Sequence, residues 1–210
     1  MGSETYKKIE NFISDSQVEQ IIVWTKSLNH SYKKPNHHLN EISKTLNGNS
    51  FIFDISNNEM TNYITEYQSI GEIFYNKPPE FILDLQKKIA DHFNFDLNNT
   101  FLQVVNMDKG GEVSPHYDAS VDGFINYKCN LSVLSEDYDF FVEKDKFLVK
   151  NKDLYCFEAS LFKHKTGKFN SQRIMLSFGF MIPYEKMNRN ENDPRVRLSK
   201  RIKKYFQNNK

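Results

Sequence analysis

His116 and Asp118 stand two positions apart. On extended backbone that spacing sends both side chains off the same face, where they could grip one ion together. A second imidazole, His164, lies much further along. Two imidazoles and one carboxylate on one face of an octahedral metal are the set that holds non-haem Fe(II) and leaves positions open for a co-substrate and O2. With six histidines in the chain, a bare His-x-Asp pair carries little weight. Arg173 adds to it: nine residues after His164, it opens a run to Met181 that places Ile174, Leu176, Phe178 and Phe180 on one face and Arg173, Met175, Ser177 and Gly179 on the other. Such a strand suits a barrel wall, where a guanidinium fork can bind a carboxylate through two hydrogen bonds. The competing reading makes His116, Asp118 and His164 ordinary polar residues and Arg173 an exposed strand start. It leaves their order and spacing within apolar strand contexts unexplained.

Leu102 to Asp118, Asp153 to Phe157, His164 and Arg173 together make the chain similar to the Fe(II)- and 2-oxoglutarate-dependent oxygenases, in particular their prolyl-hydroxylase-like branch. The resemblance covers roughly residues 100–183. It implies an α+β fold with a double-stranded β-helix core of the jelly-roll or cupin kind, buttressed by N-terminal helices. It also implies a metal site of His116, Asp118 and His164, with Arg173 binding the far carboxylate of 2-oxoglutarate. The chemistry implied is hydroxylation of an unactivated C–H using Fe(II), 2-oxoglutarate and O2, with ascorbate as a candidate further reductant, and a prolyl acceptor ranks first. Where the family often carries a tyrosine for the co-substrate, this chain has Asn106 or Met107, and near a second such position it has Ser132. Asn106, Asn130, Ser132 and Ser177 are therefore the candidate polar groups of the co-substrate pocket. Asn130 and Ser132 share one face of an alternating strand, although polar residues on one strand face also commonly just meet water.

A length of 210 residues suits one domain spanning 1–210, and 39% hydrophobic content with 18 Phe and 11 Tyr predicts an aromatic-rich core. The formal charge of +1 supplies no general attraction to nucleic acid or membrane. Cys129 and Cys156 sit in apolar strand-like runs and read as reduced core thiols. The N-terminus lacks an apolar leader, and no run is long enough to cross a bilayer, so a cytoplasmic protein is expected.

Ser16 with Glu19 predicts a capping box opening an amphipathic helix through Val18, Ile21, Ile22, Thr25 and Leu28. Residues 29–50 read as a polar connection whose adjacent His37 and His38 are solvated rather than ligating. A strand is expected over Ser50 to Ile55, and 56–77 could cover the site. Pro78 and Pro79 open a second helix with the stripe Ile82, Leu85, Ile89 and Phe93, after which short strands dominate up to Ile182. Residues 186–210 hold nine Lys or Arg, and Asp193-Pro194 begins a basic helix over about 193–207. That helix is expected to dock through Leu198, Ile202 and Phe206 with a solvated basic face. The expected partners are a protein, peptide or small-molecule substrate. A nucleic-acid demethylase of the same chemistry and a non-catalytic module on the same barrel are the alternatives; near-neutral charge weighs against the first, the complete metal set against the second.

Overall fold

The computed structural model describes residues 5–27, 48–54, 78–98, 100–107, 109, 113, 115–118 and 120–208. The expectations for His37 and His38 and for a covering segment over 56–77 lie outside these residues. In chain order the elements are β1 (Lys7–Ile9), α1 (Asp15–Ser27), β2 (Gly48–Asp54), α2 (Glu80–Phe93), β3 (Thr100–Met107) and β4 (Phe124–Leu134). There follow β5 (Tyr138–Val142), β6 (Asp145–Val149), β7 (Leu154–Glu158), β8 (His164–Thr166), β9 (Arg173–Pro183), a 3-10 turn (Tyr184–Met187) and α3 (Pro194–Asn208). No helix among the described residues is long and apolar enough to span a membrane.

The strands form two antiparallel sheets, one ordered β1-β7-β4-β9-β3-β2 and the other β6-β5-β8. Period-two alternation gives the larger sheet two different faces. Leu102, Val104, Cys129, Leu131, Leu176 and Phe178 pack against Ile21 of α1 and against Ile82, Leu85 and Ile89 of α2. On the opposite face, Met107, Met175, Tyr155 and Phe157 meet Tyr138, Phe140 and Phe147 of the smaller sheet. Helices on one face of a sheet whose other face is covered by a second sheet is the double-stranded β-helix arrangement expected for this α+β chain. With both faces covered, β9 is buried over every residue from Arg173 to Ile182.

Local signals set most boundaries. Two capping boxes overlap before α1, and the earlier one is used: Ser14 N–H donates to Gln17 Oε1 at 3.0 Å and Gln17 N–H to Ser14 Oγ at 3.3 Å. The helix therefore begins before Ser16 rather than at it, gaining the bond from Val18 N–H to Ser14 O. Helix α2 starts after Pro79 and stops at Asn94, whose left-handed φ of 55° returns its N–H to the last turn. Asp193 caps α3, its Oδ1 accepting from Arg195 N–H at 2.8 Å. Among the described side chains of α3, Val196 docks on the body, buried with Ile125, Leu161 and Tyr184. Leu198, two positions on and so about 200° around the helix, is 44% exposed, which corrects the expected contact; the side chains of Ile202 and Phe206 lie outside the described set.

Gly179 has a definite steric role, because β9 passes under the Phe101 ring there and a Cβ at 179 would overlap three of its atoms. Gly179→Val should displace that ring and cost about 1–3 kcal/mol by overpacking, measured by equilibrium urea unfolding. Gly167→Ala, whose Cβ would meet nothing within 4 Å, should unfold like the parent.

Candidate active site

The inner face of the larger sheet is a ladder of rows fixed by strand register. Cross-strand partners point to the same side. One row joins Met107 to Arg173, the next Val105, Met175 and Ser132, then Gln103, Ser177, Asn130 and Tyr155, then Phe101, Gly179, Lys128 and Phe157. Asn130, Ser132 and Ser177 thus share the interior with Arg173. Asn106 does not: it pairs with Ile174 on the helix-facing side, and its Oδ1 accepts from Gln172 Nε2 at 2.8 Å. Its odd offset from Arg173's partner Met107 turns it away from any interior ligand.

The segment carrying His116 and Asp118 is stitched to the chain around His164. His116 and His164 form a bridge, each N–H donating to the other's carbonyl at 3.1 and 3.0 Å, and Asp118 N–H donates to Ala159 O at 2.9 Å. One potential ligand atom from each of His116, Asp118 and His164 lies within 4.8 Å of the other two. Asp118 Oδ1 is 3.2 Å from His116 Nε2 and 3.8 Å from His164 Nε2. Metal–ligand bonds of roughly 2.0–2.2 Å at right angles place neighbouring ligand atoms about 3 Å apart, so the cluster needs only a small contraction to close on an ion.

The proton arrangement fits the same use. His164 Nδ1 lies 3.1 Å from Phe162 O, and a carbonyl can only accept, so the ring proton sits on Nδ1 and the Nε2 lone pair faces the cluster. Burial, helped by the neighbouring His116, lowers the His164 pKa to about 3 and keeps the ring neutral. Burial by itself would raise the Asp118 pKa, but the Lys128 ammonium, the His116 hydrogen bond and the two imidazoles hold it well below the carboxylate range. A bare imidazole nitrogen and an ionised carboxylate oxygen therefore face one point. Phe157 packs edge-on to His164 at 4.7 Å and Phe140 stacks at 6.2 Å, fixing the ring.

Arg173, 1% exposed, is the largest fully buried side chain. Its Nη2 donates to Tyr138 Oη at 2.8 Å and Tyr155 Oη at 2.9 Å, and its guanidinium lies over the Tyr138 and Phe169 rings at 4.6 and 4.8 Å. Among the described residues no carboxylate lies within 4.0 Å of it, and its Nε has no hydrogen-bond partner. Burial opposes its charge, yet the two tyrosine oxygens raise its pKa, so it is a cation. Among the described residues Asn130 Oδ1 and Ser177 Oγ are likewise buried with no hydrogen-bond partner, and Asp118 Oδ2 meets Lys128 as an ion pair at 2.9 Å without the geometry of a hydrogen bond.

Three residues here did not emerge from the sequence. Tyr138 and Tyr155 place hydroxyls beside Arg173, whereas the resemblance points to positions near Asn106, Met107 and Ser132. They arrive from β5 and β7, and their convergence on Arg173 is set by the packing of the two sheets. Lys128 also faces the interior, its Nζ 2.9 Å from Asp118 Oδ2. The available signal was a lysine on the same strand face as Asn130 and Ser132.

The sequence matches no protein-family model and no curated protein sequence. The fold does match solved structures. The viral collagen prolyl hydroxylase of Paramecium bursaria Chlorella virus-1, solved with 2-oxoglutarate, aligns at TM-score 0.57 and 16% identity over 86% of this chain and 97% of that one. The AlkB homologue OsALKBH1 aligns at TM-score 0.60 and 12% identity over 83% and 97%. A Trichoplax adhaerens prolyl hydroxylase, solved with a hypoxia-inducible-factor peptide, aligns at TM-score 0.57 and 10% identity over 85% and 84%. The chain thus has the double-stranded β-helix fold of the 2-oxoglutarate oxygenases, carrying a His-Asp-His cluster that could hold a metal.

His164 gives the metal-free protein a pH signature. Its pKa is about 3 folded against an ordinary 6.5, so between those values the unfolded chain binds the extra proton and stability falls as pH falls. The limiting slope is about 1.4 kcal/mol per pH unit. In chelator-treated protein, the stability lost between pH 7 and pH 5 should be about 2 kcal/mol smaller in His164→Gln than in the parent, read by urea unfolding at both values.

Proposed function

We propose that residues 1–210 act as one Fe(II)- and 2-oxoglutarate-dependent dioxygenase domain that hydroxylates an unactivated C–H, in the cytoplasm, where iron stays ferrous and Cys129 and Cys156 stay reduced. The observation that carries this reading is Arg173, a buried cation with no counter-ion among the described residues, inside the barrel that also holds the His116, Asp118 and His164 cluster. An unpaired buried charge is costly, and a carboxylate ligand offsets that cost with two charge-assisted hydrogen bonds.

His116 Nε2, Asp118 Oδ1 and His164 Nε2 would hold the metal, a donor set of two imidazoles and one carboxylate suited to Fe(II). Bound Fe(II) with 2-oxoglutarate and O2 would supply the oxidising power, one oxygen atom going to the acceptor C–H and the other to succinate as CO2 is released. The protein's own work is positional. Phe162 O keeps the His164 proton on Nδ1, and Arg173 with the Tyr138 and Tyr155 hydroxyls would take the far carboxylate of 2-oxoglutarate. Asn130 and Ser177, with buried polar atoms still to be matched, and Ser132 beside them would line the space between. Phe140, Phe157 and Phe169 keep that space dry, which strengthens each polar contact within it.

For the acceptor, the likeness to prolyl hydroxylases, one solved with a peptide, supports a prolyl or other peptidyl side chain. The AlkB homologue supports a nucleobase instead. Against that, three of the nine basic residues of the C-terminal segment sit in ion pairs: Arg189 with Glu158 and Asp193, Arg195 with Glu143, Lys200 with Glu191. A nucleic-acid affinity that falls steeply with salt and vanishes on neutralising Arg197, Lys200, Arg201 and Lys204 would favour the nucleobase.

Arg173→Ala should raise the KM for 2-oxoglutarate tenfold or more, at about 1.4 kcal/mol per decade, with Arg173→Lys recovering part of the loss. An unchanged KM in Arg173→Ala would reject the anchor. His116→Ala and His164→Ala should abolish 2-oxoglutarate turnover while keeping the parent's far-ultraviolet spectrum.

A further inference from the structure

Asp118 has two carboxylate oxygens and the fold directs them to different partners. Oδ1 faces both imidazoles and so the metal position. Oδ2 faces Lys128 Nζ at 2.9 Å, and Asp118 is the one described carboxylate within 4.0 Å of that ammonium. The lysine's location is built rather than incidental. It projects from the middle of β4 into the barrel interior with its side chain 15% exposed, and shares a row with Phe101, Gly179 and Phe157. Gly179 lets the Phe101 ring lie across β9, 6.0 Å from Lys128 Nζ. A lysine on a flexible stem ordinarily carries its charge out to water, and this one is instead held against the inner carboxylate.

We propose that Lys128 is a positioning residue that keeps Asp118 a one-oxygen ligand, so that the metal retains enough open positions to chelate 2-oxoglutarate. This rests on the function proposed above. A carboxylate can bind a metal through one oxygen or two. On a six-coordinate ion with two imidazoles, a one-oxygen Asp118 leaves room for both donor atoms of a keto acid and for O2. A two-oxygen Asp118 takes one of those positions. An ammonium on Oδ2 engages that oxygen and concentrates charge on it, which opposes the second metal bond. The same positive charge repels the ion itself. Removing it should therefore move two affinities in different directions, which a lysine that merely supports the fold would not do.

The test uses the full chain with Co(II) as a redox-stable probe, followed by visible absorption, and then 2-oxoglutarate titrated into the Co(II)-loaded protein. Lys128→Met should bind Co(II) at least as tightly as the parent and 2-oxoglutarate at least tenfold more weakly, with Lys128→Arg returning the 2-oxoglutarate affinity to within about threefold of the parent (a tenfold loss being about 1.4 kcal/mol). Equal 2-oxoglutarate affinity in Lys128→Met and the parent would overturn the proposal. So would a Lys128→Met that loses Co(II) and 2-oxoglutarate binding in step, because the lysine would then only assemble the site. Should Lys128→Met fail to fold, Lys128→Gln takes its place, and failure of both neutral variants to fold makes the ion pair a fold determinant and rejects the proposal. A parent protein that binds no Co(II), or no 2-oxoglutarate once loaded, would sink the proposed function itself, whereas a binding-competent parent with unaffected variants sinks this inference alone.

Discussion

The register of β9 between β3 and β4 is the constraint on which the site depends. Because a strand's side chains alternate strictly, this register puts Arg173, Met175, Ser177 and Gly179 into the barrel and Ile174, Leu176 and Phe178 against the helices. A slip of one residue would bury a guanidinium among the apolar side chains of α1 and α2 and turn the isoleucine and leucine toward polar groups. The register is therefore protected by the helix-side core, whose burial is worth about 1.5–3 kcal/mol per large apolar side chain. Function and folding are tied through one pleat.

The charges inside this barrel are few and each is answered differently. Asp118 is surrounded: Lys128 on one oxygen, two imidazoles on the other, with its N–H tied to Ala159 O. Arg173 is held by neutral hydroxyls and aromatic faces and has no anion among the described residues. In a low-dielectric interior the first charge is met by an ion pair, whereas the second has no opposite charge beside it among the described residues. On the function proposed above, that contrast separates an end of the barrel interior that would keep a resident ion from an end that would receive an exchangeable ligand.

The two sheets are joined at the site. His164 begins β8 in the smaller sheet, yet its backbone bonds to His116 on the segment leading into the larger one. Phe140 and Phe157, from opposite sheets, both pack on its ring. His164 is thus held by both layers, and side chains fixed by packing and by an outer hydrogen bond are what precise metal geometry needs.

Much of this could be read from the chain. The His-x-Asp spacing, the nine-residue step from His164 to Arg173 and the alternation of β4 and β9 are local patterns, written in period two and so legible without a fold. The strands from β3 to β7 and β9 were legible for the same reason, and the start of α2 and the Asp193 cap through proline and capping chemistry. Other features depend on which residues meet across a large sequence separation. The sequence places Lys128 ten residues from Asp118 but cannot say that the two touch, and it gives no sign that Tyr138 and Tyr155 converge on Arg173. Asn106 looked like a pocket residue by its place in the motif, and the register turned it outward. Among the described side chains of α3, Val196 rather than Leu198 packs on the body, about 200° around the helix from it. Local periodicity sets which face of a strand a side chain occupies; strand register and layer packing decide what it meets there, since those contacts exist only once both layers have closed.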